Sequence, residues 1–292
     1  MTKNEEKAIA RAVSSVGDCD QIVVLDSGSH DRTCGIARAC GASVVQFKWD
    51  GRYPKKKEWA LLNLNLRNDW VLYLDADEFA TPELISEIGM VIESRPNIAA
   101  FDIELEYTFL GKKLKHGHRV TKRALVRKSR TTWPRVDDLK VTSMWEVEGH
   151  YQPTVSGTID RLKSPLVHDD PDPLYDYFAR HNKYSDWEAH VQISNSLNQA
   201  VNQSRSARGR RYAVLPLKPV AFFLYSYVLR LGVLDGKAGF HYAIAHAFYY
   251  WQISLKSQEI RERQCPSPSS GNTLKQDPTS ATQETITANQ ST

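Results

Sequence analysis

Three absences narrow what this 292-residue sequence can be. Its four cysteines, Cys19, Cys34, Cys40 and Cys265, include no CxxC pair and have no zinc-ligand spacing, and no signal-peptide pattern precedes them. The expectation is reduced thiols in a cytosolic protein. There is no unbroken apolar run of the ~20 residues that a membrane-spanning helix needs. The aromatic-rich stretch 212–229 is interrupted by Pro216, Lys218 and Pro219, and the stretch 238–255 contains His241 and His246. These two segments are expected to lie along a membrane face or to form core helices of a small bundle. Finally, neither sign of charge dominates. Lys and Arg total 38 against 34 Asp and Glu, a net charge of +4, so no nucleic-acid partner is demanded. Phosphate-bearing small molecules or an anionic membrane suit the basic clusters equally well.

What the chain does contain is organised around Val71-Leu72-Tyr73-Leu74 running into Asp75-Ala76-Asp77-Glu78. The first half is a short apolar run that reads as a strand buried on both faces. The second half is a burst of carboxylates. In open α/β sheets ligands collect outside the carboxyl ends of strands, so acids there line a crevice. Asp75 and Asp77 can approach one point only if the chain turns at the small residue Ala76. Two close carboxylates repel unless a cation or a shared proton relieves them, and a divalent ion on phosphate oxygens is one such cation. A solvated acidic turn capping the next helix is the other reading.

Along the chain, Asn4 followed by Glu5-Glu6 predicts a helix N-terminus with Ile9, Ala12, Val13 and Val16 as its buried stripe. Strands are expected at 21–25 and 43–47, joined by a polar glycine-containing loop, 26–33, and a helix through Ala39 stopped by Gly41. A basic loop from Lys48 to Lys57 and a helix from Trp59 to Leu66 lead back to the Val71 strand. This β-α-β-α-β alternation predicts a parallel sheet with crossover helices. Thr81-Pro82 caps a helix carrying Leu84, Ile85, Ile88, Val91 and Ile92. Phe101, Ile103, Leu105 and Tyr107 alternate with Asp102, Glu104 and Glu106, which predicts a strand with one wet face toward a sheet edge. A strand is expected at 124–127. Length allows one good core and a second, smaller unit. The expected division is 1–170 for the first domain, 171–263 for a C-terminal helical unit beginning after the Asp169–Pro173 linker, and 264–292 for a disordered tail.

Thr2-Lys3-Asn4-Glu5-Glu6, Val24 through Thr33, and Leu74-Asp75-Ala76-Asp77-Glu78 occur in the order and at about the spacing of family 2 glycosyltransferases. The chain resembles that family, the inverting nucleotide-sugar enzymes with the GT-A fold. Pro165-Leu166-Val167-His168 and the segment Gly232 to Gly239 resemble the subgroup that builds lipopolysaccharide core and related envelope glycans. The resemblance implies an α/β fold with a mostly parallel central sheet, flanking helices and a C-terminal helical unit. It implies transfer of a sugar from a nucleotide-diphosphate sugar to a saccharide or lipid-linked acceptor, at the inner face of the cytoplasmic membrane if the anionic-membrane contact holds. Asp26 would hold the base or ribose, with Asn4 and Glu5 near the same crevice. Asp31 would shape that loop, or simply cap the helix behind it. Asp75 would lie by the ribose and diphosphate, and Asp77 would hold Mn²⁺ or Mg²⁺. His168 would be a further metal ligand or a core histidine. Lys57, with Lys55 and Lys56, would help hold the diphosphate or form a solvated run. Inversion needs a carboxylate to take the acceptor proton. Glu146 is the first candidate and Glu148 the second, with Asp137 and Asp138 behind them. A His-Glu pair common in the subgroup is replaced here by Trp145-Glu146.

In that family an apolar strand precedes the Thr2 to Glu6 motif, in the middle of the sheet, and here Met1 takes its place. Each buried backbone group left unpaired costs roughly 1–3 kcal/mol. The expectation is therefore a truncated form, the alternatives being another segment in the slot or an inactive relative that starts at Met1. Two other classes stay open: a metal-dependent phosphatase or phosphotransferase with Asp75 as nucleophile, and a non-catalytic glycan- or nucleotide-binding module. The phosphatase pattern wants Thr or Val where Phe79 stands.

Overall fold

The computed structural model describes residues 1–135, 152–194 and 217–264. Strands β1 (Val23–Asp26) and β2 (Ser43–Gln46) pair in parallel, Val23 opposite Ser43, with helix α2 (Thr33–Ala39) as the crossover. Helix α1 (Ile9–Ser14) packs Ile9 and Val13 against Val24, Ala37 and Ala42. It begins later than the sequence suggests. Asn4 has a left-handed φ of 57°, its amide donates to Ser29 Oγ (2.8 Å), and its side-chain oxygen accepts from the His30 amide (2.9 Å). A side chain committed to another loop cannot cap its own helix, so Asn4 is a staple between loops rather than an N-cap.

Helix α3 (Lys56–Asn63) starts three residues before the expected Trp59. Lys55 and Lys56 are 1% and 2% exposed, so the solvated-run reading fails for both. Lys56 Nζ donates to the Thr2 carbonyl (3.1 Å) and to Ser27 Oγ, which gives the buried ammonium its partners. Thr2 also bridges Asp26 in parallel, its amide donating to Leu25 O (3.0 Å), while the Met1 ammonium donates to Leu74 O (3.0 Å). Residues 1 and 2 thus join the β1–β2 pair to the second sheet.

That sheet contains β3 (Trp70–Leu72), β4 (Glu78–Ala80), β5 (Ile98–Phe109), β6 (Lys112–Lys113), β7 (Thr121–Arg127), β10 (Thr158–Arg161) and β11 (Leu166–His168), ordered β3-β7-β5-β11-β4 with β6 and β10 also on β5. β8 (Thr131–Thr132) and β9 (Thr154–Val155) form a separate antiparallel pair. Pairing in the larger sheet is mixed. β10 and β11 run parallel to β5, whereas β3–β7, β5–β7 and β4–β11 are antiparallel. β3 is therefore half-buried at the end of this sheet, not buried on both faces. β5 is the correction in the other direction: it is central, not an edge. Its alternating acids are matched by cations from its neighbours, Asp102 with Arg123 (3.0 Å), Glu104 with Arg119 (2.7 Å) and Arg161 (2.5 Å), and Glu106 with Lys113 (2.8 Å).

Helix α4 (Pro82–Ser94), capped by Thr81 Oγ1 accepting from Leu84 N (3.2 Å), lays Leu84 and Val91 on Phe101, Ile103, Leu105 and Leu125. The opposite face, Ala100 and Val126, is covered by Trp187 and Val191 of α5 (Leu174–Ile193). The C-terminal part continues with α6 (Lys218–Phe223), a π-helical turn (Leu224–Leu229), a 3-10 turn (Gly232–Asp235) and α7 (Gly236–Gln264). α7 packs Ala238 and Tyr242 on Phe109 and Leu114. The Gly232 to Gly239 motif has a structural cause. The Asp235 carboxylate accepts from the Lys115 (3.2 Å) and His116 (2.8 Å) amides, and a Cβ on Gly239 would sit 2.0 Å from the Gly232 carbonyl. Among the described residues no helix is long and apolar enough to cross a membrane.

Candidate active site

β3 ends at Leu72 and the chain turns at Ala76–Asp77 before β4 returns. Ala76 is buried against α1, β1 and α2 residues, so a small side chain is what allows the turn. The turn closes on itself, Glu78 N donating to Asp75 O (3.0 Å) and Asp75 N to Glu78 Oε2 (3.0 Å). From β7, Lys122 Nζ reaches Asp75 Oδ2 (2.8 Å) and Glu78 Oε2 (2.5 Å). Glu78 is 3% exposed, so this lysine is what makes its burial tolerable. Burial opposes the charge on Asp75, but Lys122 and then Lys57 hold its carboxyl well below the ordinary range. Lys122 is pushed the other way, above its ordinary value, because Asp75 and Glu78 outweigh its own burial.

Asp77 behaves oppositely. Its Oδ2 lies 3.3 Å from His168 Nε2 of β11, yet burial raises its pKa, and Glu78 and Asp75 add to that against the imidazole. Two acids two residues apart are thus driven in opposite directions, a pattern of sites that divide chemical roles. Glu5 joins this group. Burial first, then Asp77, Asp172 and Asp170, push its carboxyl up to about 8. Asp170 and Asp172 are held by Arg180 of α5, the latter at 2.9 Å, and Asp169 by Arg11 (2.6 Å), so the expected linker is pinned on both sides.

A divalent ion suits this end of the site. Asp77 and His168 supply a hard oxygen and an imidazole side by side, among carboxylates that repel one another without a counter-ion. Among the described residues no third His, Cys, Asp or Glu completes a three-ligand group. The remaining positions would fall to phosphate oxygens and water, as is usual for Mg²⁺ bound with a phosphorylated substrate.

The adjoining loops explain Asn4, Asp26 and Asp31. The Asp26 carboxylate is 0% exposed and accepts from Gly28 N (3.1 Å), Ser29 N (2.9 Å) and Ser29 Oγ (2.5 Å). Burial works against its charge, but these bonds win and its pKa falls. In this structure Asp26 is the internal anchor of its loop. Asp31 closes the turn that leads into α2, its Oδ1 accepting from Thr33 N (3.0 Å) and its Oδ2 from Glu6 N (3.2 Å), while the N-cap itself is Arg32. Lys57 lies with its Nζ 5.7 Å from the Trp133 ring and within electrostatic reach of Asp75. The structure therefore gathers Glu5, Lys57, Asp75, Asp77 and His168, with Asn4, Asp26 and Asp31 in the flanking loops. Glu146, Glu148, Asp137 and Asp138 lie outside the described residues. Sequence reading assigned no role to Lys122, to Arg180 or to Glu78 beyond its place in the carboxylate burst; Lys122 meets Asp75 and Glu78 from 47 and 44 residues away, which leaves no local signal.

Residues 1–142 match the family profile described as Glycosyl transferase family 2. An uncharacterized glycosyltransferase of Rickettsia typhi is 40% identical over 114 residues, 38% of this chain and 38% of that protein. The chain thus spans about two fifths of the length of that relative. The lipopolysaccharide core biosynthesis glycosyltransferase LpsC of Rhizobium meliloti is 25% identical over 263 residues, 87% of this chain and 88% of LpsC. Among solved structures, glucosyl-3-phosphoglycerate synthase of Mycobacterium tuberculosis, in complex with Mn²⁺, uridine diphosphate and phosphoglyceric acid, is 17% identical with a TM-score of 0.38, over 67% of this chain and 78% of that one. Residues 1–142, just under half of the chain, thus match glycosyl transferase family 2, and the α/β architecture with the helical C-terminal part described above accords with the GT-A fold.

Proposed function

We propose that this chain is an inverting, metal-dependent glycosyltransferase that moves a sugar, a hexose in the simplest case, from a nucleotide-diphosphate sugar to a saccharide or lipid-linked acceptor. The observation that carries the reading is the Asp75–Asp77 turn. One acid is held ionised by Lys122, and the other stands beside His168 with its pKa raised. The nucleoside would be received against the loop anchored by Asp26, closed by Asp31 and stapled by Asn4, with Asp75 toward the ribose and Lys57 toward the diphosphate. Asp77 and His168 would hold Mn²⁺ or Mg²⁺, which when bound offsets charge on the departing nucleoside diphosphate. The acceptor oxygen bonds to the anomeric carbon from the far side, its proton passes to Glu146 or Glu148, and the carbon–oxygen bond to the diphosphate breaks with its electron pair leaving on the nucleotide. The similarity to LpsC over most of its length supports an envelope-glycan acceptor of lipopolysaccharide type and a place at the inner face of the cytoplasmic membrane, by peripheral contact with anionic lipid.

Hydrolysis of a panel of sugar nucleotides against hydrolysis of an aryl phosphate, with and without Mn²⁺, tests the reading. Metal-stimulated turnover of a sugar nucleotide alone is expected. Faster turnover of the aryl phosphate would favour the phosphatase, and binding without turnover the non-catalytic module. Glu146→Gln should keep nucleotide binding and lose transfer by at least the ~10²–10⁴-fold of a general base. The same phenotype in Glu148→Gln alone would move the assignment two residues.

A further inference from the structure

The segment 217–234 contains Lys218 and Arg230 and no carboxylate, and its apolar residues divide between two faces. The inner face is fixed. Phe222 is 2% exposed and stacks on His246 (5.6 Å between centroids, 15° between planes), and Ser226 Oγ accepts from the His118 amide (3.1 Å). The outer face is uncovered, with Leu217 77%, Val220 55%, Leu229 74%, Leu231 50% and Leu234 62% exposed. Leu217 and Leu231 adopt left-handed φ values of 53° and 58°, which are unfavourable for a branched side chain and recur where function requires them. Isolated exposed apolar residues are ordinary, but five of them within residues 217–234 of a firmly packed segment mark a contact surface.

Beside these leucines the chain places cations. The loop 111–120 carries Lys112, Lys113, Lys115 and Arg119 and no acid. It is locked to the hairpin by Gly117 N donating to Arg230 O (2.8 Å) and by the Asp235 clasp. A cavity of about 340 Å³ between loop and hairpin is lined by Lys115, His116, Arg119, Arg230 and Leu229, with one acid, Glu104, already paired to Arg119 and Arg161. Among the described residues Lys115 Nζ and the Arg230 guanidinium have no hydrogen-bond or ion-pair partner.

We propose that the 217–234 hairpin and this basic cavity form one docking surface for an anionic lipid bilayer, the exposed leucines entering the interface while Lys115 and Arg230 meet lipid phosphates. An apolar ridge with unpaired cations at its edge and no exposed acid among its own residues fits the acyl and headgroup layers of such a membrane together. The inference deepens the peripheral contact proposed above, and it places that contact on the hairpin; Arg205, Arg208, Arg210 and Arg211, which crowd the sequence just before it, are the competing basic cluster.

The test is co-sedimentation of the full chain with phosphatidylcholine vesicles with or without phosphatidylglycerol, in low and high salt. Binding to the anionic vesicles that weakens with salt is expected. Lys115→Gln with Arg230→Gln should reduce it on the order of 25-fold, at roughly fivefold per cation. Leu229→Asp with Leu234→Asp should abolish it while leaving far-UV circular dichroism and the rate of sugar-nucleotide hydrolysis without vesicles unchanged. Replacing Arg205, Arg208, Arg210 and Arg211 together by Gln should leave salt-sensitive binding in place. No binding in low salt, equal binding to neutral vesicles, unaltered binding of both double variants, or loss of binding only in the four-arginine variant would each overturn the proposal. So would concentration-dependent dimerisation through the leucines in place of vesicle binding. Vesicle binding needs no sugar nucleotide, so its failure is distinguishable from failure of the transferase reading.

Discussion

Replacing Lys122 by methionine keeps the aliphatic stem and removes the ammonium between Asp75 and Glu78. The Glu78 side chain is 3% exposed and the Lys122 side chain 12%, so the variant leaves a buried carboxylate without its cation. Breaking a buried pair in this way costs about 3–5 kcal/mol. Domains are stable by ~5–15 kcal/mol in all, so the urea midpoint should fall by about a fifth or more. Adding Glu78→Gln removes the orphaned charge and should recover part of the loss, with a coupling of about 1–3 kcal/mol in the double-mutant cycle. The pH dependence has a definite sign. The depressed pKa of Asp75 contributes stability above the ordinary carboxylate value that disappears as pH falls through the lowered one, and the variant should lack that part of the acid limb. Urea unfolding followed by the fluorescence of the seven tryptophans provides the measurement. A single variant within about 1 kcal/mol of wild type, or a double variant no more stable than the single, would refute the role given to Lys122.

Glu5 has a folded pKa of about 8 against 4.5 ordinarily, so the stability it contributes is complete below 4.5 and is lost as pH rises through 8. In metal-free buffer above pH 8, Glu5→Gln should therefore be more stable than wild type, on the order of 1–2 kcal/mol after solvent screening, and an unchanged Tm there would contradict the crowding by Asp77, Asp170 and Asp172. Burial lowers His118 to about 4, helped by Arg230, and His246 to about 3, helped by His181 and His118. Both stay neutral in the fold while the unfolded chain takes up protons, so stability should fall as pH drops from 6.5 toward 4, by on the order of 1–3 kcal/mol for each. His246→Phe preserves a ring against Phe222 and should flatten the Tm profile over that range; parallel profiles would show that the imidazole is not the cause.

Much of the fold could be read from local pattern. β1, α2 and β2 follow from an apolar run, a glycine loop and a stop at Gly41, and α4 from the Thr81-Pro82 cap with its helical stripe. What stayed hidden depends on residues far apart in the chain. The acids of β5 look like a wet edge because alternation reports polarity and not partners, and Arg119, Arg123 and Arg161 that neutralise them come from other segments. Lys55 and Lys56 read as solvated because nothing nearby shows that a carbonyl at Thr2 waits for an ammonium. In the site, Asp75, Asp77 and His168 were legible from their motifs. Lys122, 47 residues from Asp75, was not, and neither were the burial and the neighbouring carboxylates that raise Glu5.

The most direct test of the central claim is a paired assay of wild type and Asp77→Ala: release of nucleoside diphosphate from a set of sugar nucleotides, measured in Mn²⁺ and again after chelation. Asp77 lies past the end of β3 among like charges, and its removal should leave the fold largely intact by far-UV circular dichroism. The account predicts turnover of at least one sugar nucleotide by wild type in Mn²⁺, loss of that turnover on chelation, and its absence in the variant at either condition. Full activity in Asp77→Ala, or turnover indifferent to the metal, would contradict it.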